Sequence, residues 1–257
     1  DVALITFVPF GLLVLRMAGQ ERQVVPLVVL QTLAANLGSM LTPMGNPQNL
    51  YLYAKSGMGF WALCALMLPY VAVSAVCIAA AVMLRRASPV VTVAVPVKLS
   101  GAKSLVVYTI GLALCMLGLF DIVPPLMVAL VTAVYMFAAD RSLLGAIDYS
   151  LLGIFAAFFI FIFRSFLSDA LTGHVELAAV LASQVTSNVP AALLLSGFTT
   201  EWNGLIIGCN LGGLGTLIAS MASLISYKAV TREYPQQRGR YFLSFTASNV
   251  ALLALLL

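Results

Sequence analysis

Charge is what this sequence has least of. Only 9% of its 257 residues are Asp, Glu, Lys or Arg, against about 25% in soluble globular chains. So few charges cannot cover the surface of a soluble protein of this size. Cysteine is scarce too. Cys64, Cys77, Cys115 and Cys209 all fall inside apolar runs, with no C-x-x-C and no His–Cys spacing. That excludes a disulfide framework or a cysteine-based metal site and leaves four small hydrophobes. There is one histidine, His174, in a polar stretch beside Glu176, where a surface role is expected. H-E-x-x-H, a G-x-G-D with a partner aspartate, and a Ser–His pair in the apolar runs are all missing. An intramembrane enzyme therefore has no catalytic constellation to work with.

What is present in excess is apolar: 62% hydrophobic residues and a mean hydropathy of +1.06. The apolar stretches are long and continuous rather than alternating, which predicts membrane-spanning helices and not a barrel. They lie at about 2–18, 22–55, 59–84, 104–120, 122–139, 149–168, 175–199, 202–229 and 241–257. A crossing takes about 20 residues at 1.5 Å each. The 22–55 stretch would make a rod of roughly 50 Å, too long for a core of about 30 Å. Thr42, Pro43, Gly45, Asn46, Pro47, Gln48 and Asn49 interrupt its middle, so it reads as a broken helix. The 202–229 stretch has a matching weak point at Gly212-Gly213-Leu214-Gly215-Thr216.

Loop charge sets an expected orientation. Arg85, Arg86, Lys98 and Lys103 share one connection, and Lys228, Arg232, Arg238 and Arg240 share another. The positive-inside rule assigns both to the cytoplasm and makes them topology anchors, not nucleic-acid patches. The net charge of +4 then has no bearing on nucleic acid. Between these anchors, segment 175–199 must enter and leave on the same side. It is interrupted at Thr186-Ser187-Asn188-Val189-Pro190, and each arm is too short to span. A re-entrant hairpin is expected. Segment 2–18 reads as the second arm of another. The chain opens at Asp1 with neither an initiator Met nor a basic n-region, so 2–15 is not read as a signal peptide. The expectation is a piece of a longer protein whose earlier helices precede Asp1.

The two halves can be laid on one another. At an offset of 174, residues 36–53 (NLGSMLTPMGNPQNLYLY) lie over 210–227 (NLGGLGTLIASMASLISY). Asn36/Asn210, Gly38/Gly212, Thr42/Thr216 and Tyr53/Tyr227 are the telling identities. Each unit reads as hairpin arm, loop and broken helix, in opposite orientation, the architecture of secondary transporters. The expected organisation is a first repeat over 1–84, a cytoplasmic loop over 85–103 and a second repeat over 104–257. The fold class is an all-α polytopic membrane protein, an inverted-repeat transporter with re-entrant hairpins and broken transmembrane helices.

On four motifs the chain resembles the ion transporter superfamily, in its citrate transporter-like branch. They are Asp1-Val2-Ala3-Leu4, Gly45-Asn46-Pro47-Gln48-Asn49, Ser187-Asn188-Val189-Pro190 and the Asn210-to-Thr216 loop. Divalent anion/sodium symporters, arsenite permeases and a class of sodium/proton antiporters are related to it. The resemblance implies a multi-pass protein of the cytoplasmic membrane, with Na⁺ or H⁺ as coupling ion, no other cofactor, and a homodimer. In the anion symporters each hairpin tip carries Ser-Asn-Thr, whereas this chain has Ser187-Asn188-Val189.

The residues themselves suggest where ions bind. Asn188 is expected to cap the arm that follows it, with Pro190 in the first turn, aiming a helix N-terminus at the midplane as an anion site. Asn46 and Pro47 are expected to start a second half-helix the same way. Broken helices free carbonyls that can hold Na⁺ beside Ser, Thr and Asn oxygens. One ion site is therefore expected at Ser187, Asn188 and Thr216, with Asn210, Gly212 and Gly213 supplying its loop. Its pseudo-symmetric twin would comprise Asp1, Thr42, Gly45, Asn46 and Asn49, with Na⁺ against Asn46 and Asn49. Asp1, as an intramembrane carboxylate, would carry a proton or cation. Arg164 is expected to snorkel or pair with Asp169, and Asp148 to cap a helix. The expected activity is secondary active transport of a small anion, citrate- or dicarboxylate-like or inorganic, by alternating access. Sodium/proton antiport or arsenite-type efflux is the alternative.

Overall fold

The computed structural model describes residues 2–85, 102–119, 122–138, 141, 145, 149 and 173–257. Among these, all regular structure is helical and no strand occurs. Asp1, Arg86, Lys98, Asp148, Arg164, Asp169 and the 149–168 span lie outside the described residues, Tyr149 apart. The chain divides into two compact units, one of residues 1–93 with 154–257 and one of residues 94–153.

The smaller unit contains α5 (Ala102–Leu119) and α6 (Pro125–Ala138). They pack closely near their connection, where a Cβ on Gly118 would fall 2.8 Å from a Val128 methyl. Leu105, Ile110, Leu112, Leu126 and Val134 are all exposed. Helices apolar on every side, with their large side chains outward, suit lipid and not water.

The larger unit begins with α1 (Val2–Met17), α2 (Val24–Ser39), α3 (Pro47–Ser56) and α4 (Phe60–Met83). It continues with α7 (Val175–Thr186), α8 (Asn188–Leu195), α9 (Trp202–Leu211), α10 (Met221–Glu233) and α11 (Arg238–Leu256). The 24 residues of α4 exceed the crossing length, and Trp61, Val76 and Met83 on it are exposed. The 22–55 and 202–229 stretches each become two helices, and 175–199 becomes two short ones, as the internal polar and glycine-rich residues predict.

Two helices act as hubs. α2 packs against α1, α4, α10 and α11, while α9 packs against α7, α8 and α3. α2 and α9 also touch. The cross-packing is reciprocal: α1 lies on α10, and α8 lies on α3. Leu4, Val8 and Leu12 recur every four residues on the buried face of α1, against Val25, Val28, Val29 and Leu33 of α2. In lipid such contacts gain dispersion energy more than hydrophobic free energy, so close approach matters most. Gly208 supplies it, since a Cβ there would overlap the Glu176 carbonyl of α7.

Candidate functional site

Both broken helices restart at the same cavity. Between α2 and α3 the interruption covers residues 40–46. Asn46 is extended (φ −151°, ψ 158°), and its side-chain oxygen accepts the Asn49 N–H at 2.8 Å. Pro47 follows as first helical residue, where no donor is needed. Asn49 is fully buried and donates its amide to the carbonyls of Met40 at 2.9 Å and Thr42 at 3.4 Å. It thereby satisfies groups that the end of α2 orphans. Gly45 lies so close to Ser39 that a Cβ would collide with the Ser39 carbonyl.

The second interruption covers 212–220, longer than the glycines alone suggested. It is gripped from outside by Gln184 of α7. The Gln184 amide donates to the carbonyls of Gly212 at 3.0 Å and Leu214 at 2.8 Å, and its oxygen accepts the Thr216 N–H at 2.9 Å. The Thr216 hydroxyl donates to the Gln184 carbonyl at 3.1 Å. Nothing in the local sequence pattern marks Gln184. Its only signal is a polar residue three positions before the Ser187 tip.

Between α7 and α8 the chain turns at Ser187, with φ 80° and ψ 153°. That region is normally reserved for glycine and costs about 1–3 kcal/mol. The turn delivers the Asn188 N–H to the Ala219 carbonyl at 3.0 Å, and the Ser187 hydroxyl donates to the same carbonyl at 3.4 Å. Asn188 does not cap α8 as expected. Ser187 holds the cap position without a side-chain cap bond, and Asn188 is the first helical residue. Its side chain is instead turned inward, 6% exposed, with no hydrogen-bond partner among the described residues. Pro190 is buried in the first turn, as expected.

A crossed set of hydrogen bonds ties the two interruptions together. Asn210 accepts from the Asn46 amide at 3.1 Å and donates to the Asn49 oxygen. Asn36 accepts from the Ser220 hydroxyl at 3.1 Å and donates to Ser223 at 3.5 Å. Under the 174-residue offset Asn36 matches Asn210, Asn46 matches Ser220, and Asn49 matches Ser223. Each twin asparagine thus reaches the cap residue and the third helical residue of the other broken helix. Asn36 was visible in the repeat alignment but carried no site assignment until this exchange was seen.

The cavity they enclose is about 30 Å³, enough for one or two waters or a small ion. Asn36, Ser39, Asn46, Gln48, Asn188, Asn210 and Ser220 supply its polar lining, and among the described residues no charged side chain lines it. Gln48, 4% exposed, resembles Asn188 in having no side-chain partner among the described residues. It stands in the Gly45–Asn49 motif, yet the motif alone did not separate it from its neighbours. The first turns of α3 (Pro47, Gln48), α8 (Asn188, Val189) and α10 (Met221, Ala222) all border the space. Three helix N-termini therefore converge, each carrying a positive partial charge of about half a unit.

The expected residues separate accordingly. Asn46 and Asn188, assigned to opposite sites, line one cavity together with Asn210 and Gly213. A Cβ on Gly213 would fall 2.9 Å from the Asn188 amide nitrogen, so only glycine leaves that amide its space. Thr42, Gly45, Asn49 and Gly212 build the walls without lining the space. Gly212 lets α9 approach Ser183 of α7. Ser187 shapes the tip. Thr216 is exposed and faces away from the cavity lining, and Asp1 lies outside the described residues.

Comparison with known proteins finds similarity to membrane transport proteins. An uncharacterized transporter of Methanocaldococcus jannaschii is 28% identical over 242 residues, covering 89% of this chain and 65% of its own length. The inner membrane protein YbiR of Escherichia coli is 29% identical over 240 residues, covering 89% of this chain and 64% of its own. The chain spans just under two thirds of the length of these curated relatives. The citrate transporter profile matches residues 1–201, the larger part of the chain. With that match and these helices, the chain belongs to the citrate transporter family of membrane transport proteins.

Proposed function

We propose that the protein is a secondary active transporter of the cytoplasmic membrane. It moves a small anion by alternating access, coupled to Na⁺ or H⁺. The observation that carries this reading is the convergence of three helix N-termini on a cavity holding two buried amides, Gln48 and Asn188, whose side chains have no hydrogen-bond partner among the described residues. Oriented N–H groups and amide donors favour an anion, while the amide oxygens can equally face a dehydrated cation. At about 30 Å³ the cavity is closed around an ion-sized volume. A citrate-sized substrate requires it to widen, which is what rocking one repeat against the other would do. The crossed Asn36 and Asn210 bonds support an inverted pair of repeats meeting there. In this reading α7 and α8 form a re-entrant hairpin with Ser187 at its tip.

A second reading is arsenite-type efflux or sodium/proton antiport. It is favoured by a lining that, among the described residues, offers a polycarboxylate no Arg or Lys.

The test compares thermal unfolding of the complete transporter in NaCl and in KCl at equal ionic strength, for wild type and Asn188→Ala. A ligand at about 100 Kd adds roughly 2.7 kcal/mol to the folded state. Wild type should melt higher in NaCl and the variant should not, with both equal in KCl because Asn188 gives up no protein partner. Citrate uptake into proteoliposomes under a sodium gradient should fall with the variant. Equal melting of wild type in both salts would remove sodium coupling and shift attention to Asp1 and proton-coupled or arsenite-type transport.

A further inference from the structure

A second, quite different cavity opens on the outside of α10 and α11. It is about 690 Å³ and broad-mouthed, walled by Leu224, Tyr227 and Phe242 and floored near Leu217 and Ile218. Ile218 and Phe242 remain about half exposed on it. Arg238 also lines it. Its Nε donates to the Tyr227 hydroxyl at 2.6 Å, and the guanidinium lies 5.9 Å from that ring's centre. Its terminal N–H groups meet no carboxylate among the described residues. Lys228, Arg232 and Arg240 belong to the same basic connection.

We propose that this groove binds an anionic phospholipid, its phosphate on Arg238 and an acyl chain along Tyr227, Phe242, Leu224 and Ile218. An apolar groove that also carries an oriented guanidinium matches both the chains and the headgroup of such a molecule. A fork of N–H donors suits phosphate in particular. The positive-inside rule also puts this connection at the cytoplasmic leaflet, where anionic lipid is enriched.

The lipid has a route to the ion cavity. Thr216 and Leu217, which line the groove, belong to the 212–220 interruption. The same loop takes the Asn188 N–H on Ala219 and lines the ion cavity with Ser220. A chain seated in the groove braces that loop from outside. This part rests on the transport reading; lipid binding itself does not.

The experiment places the complete transporter in nanodiscs of phosphatidylcholine, with or without phosphatidylglycerol of the same chains, and reads thermal unfolding. Phosphatidylglycerol should raise the melting temperature of wild type by several degrees. Arg238→Gln should lose the rise, Arg238→Lys should keep part of it, and Arg240→Gln should keep it all. Nothing lies within 4 Å of a Cβ placed on Gly239 at the groove wall. Gly239→Leu should therefore fill the trough, melt higher in pure phosphatidylcholine and respond no further to phosphatidylglycerol. An equal rise in Arg238→Gln, or none in wild type, overturns the proposal. A second copy of the chain as occupant also overturns it, and would appear as a dimer in pure phosphatidylcholine that Gly239→Leu disrupts. If the melting response follows the prediction while uptake is unaffected by lipid, the site stands and only its link to transport fails.

Discussion

In the first broken helix, the residues that repair the interruption lie within it or just beyond. Asn46 caps α3, Asn49 holds Met40 and Thr42, and Gly45 folds tightly against Ser39. In the second, the repair comes from about thirty residues away. Gln184 holds Gly212, Leu214 and Thr216, while the Ala219 carbonyl receives the Asn188 N–H. Four of its residues are held by the α7–α8 unit and none of the first interruption's is. The difference teaches that one wall of the cavity is repaired mainly by its own residues, whereas the other is held by the element carrying Asn188.

Substitutions can break or sharpen that contrast. The largest effect is expected from Gly45→Ala, because the clash is with backbone that cannot step aside. A cost of about 4 kcal/mol or more should leave no monodisperse protein in detergent chromatography. Gln184→Leu comes next. It strands two carbonyls and an N–H, for about 2–4 kcal/mol. Hydrogen exchange should accelerate over 212–220 while 40–49 stays protected; equal acceleration in both would end the idea that the first interruption supports itself. Gly215→Ala acts on the same loop. At φ 109° an L side chain is strained, but the atom it meets is the movable tip of Gln184. A loss of about 1–3 kcal/mol with a folded protein is expected by thermal unfolding. Asn46→Ala should cost about 1 kcal/mol, the value of a cap. Its faster exchange should centre on 46–49, with the 212–220 loop unchanged. The smallest loss of stability is expected from Asn188→Ala in KCl, and that variant should be the one whose transport suffers most.

How much of this could be read beforehand differs along the same line. Asn46-Pro47 announces a helix start through local chemistry alone, and the structure has that start. The glycines at 212, 213 and 215 announce a weak point but not its end. Ser220 terminates the loop by extending its own backbone and bonding Asn36, 184 positions away in sequence. Asn188 has the composition of a cap and does not serve as one. The left-handed turn at Ser187 gives its N–H to Ala219 and sends its side chain into the cavity. Gln48 and Gln184 carry no distinguishing pattern, because an amide's partner is set by what packs opposite it.

Sequence by itself determined the solvent and the punctuation of this protein. Nine per cent charge and long apolar runs demand helices in lipid, since backbone groups there must be satisfied within their own segment. A 34-residue run with two prolines and a glycine at its middle has to break, for reasons of length and missing donors. Only the tertiary structure decided that residues 46, 188 and 210 line the same cavity. Helix breaks are local events governed by nearby side chains. Which breaks face each other depends on packing between α2 and α9, and no local propensity encodes that.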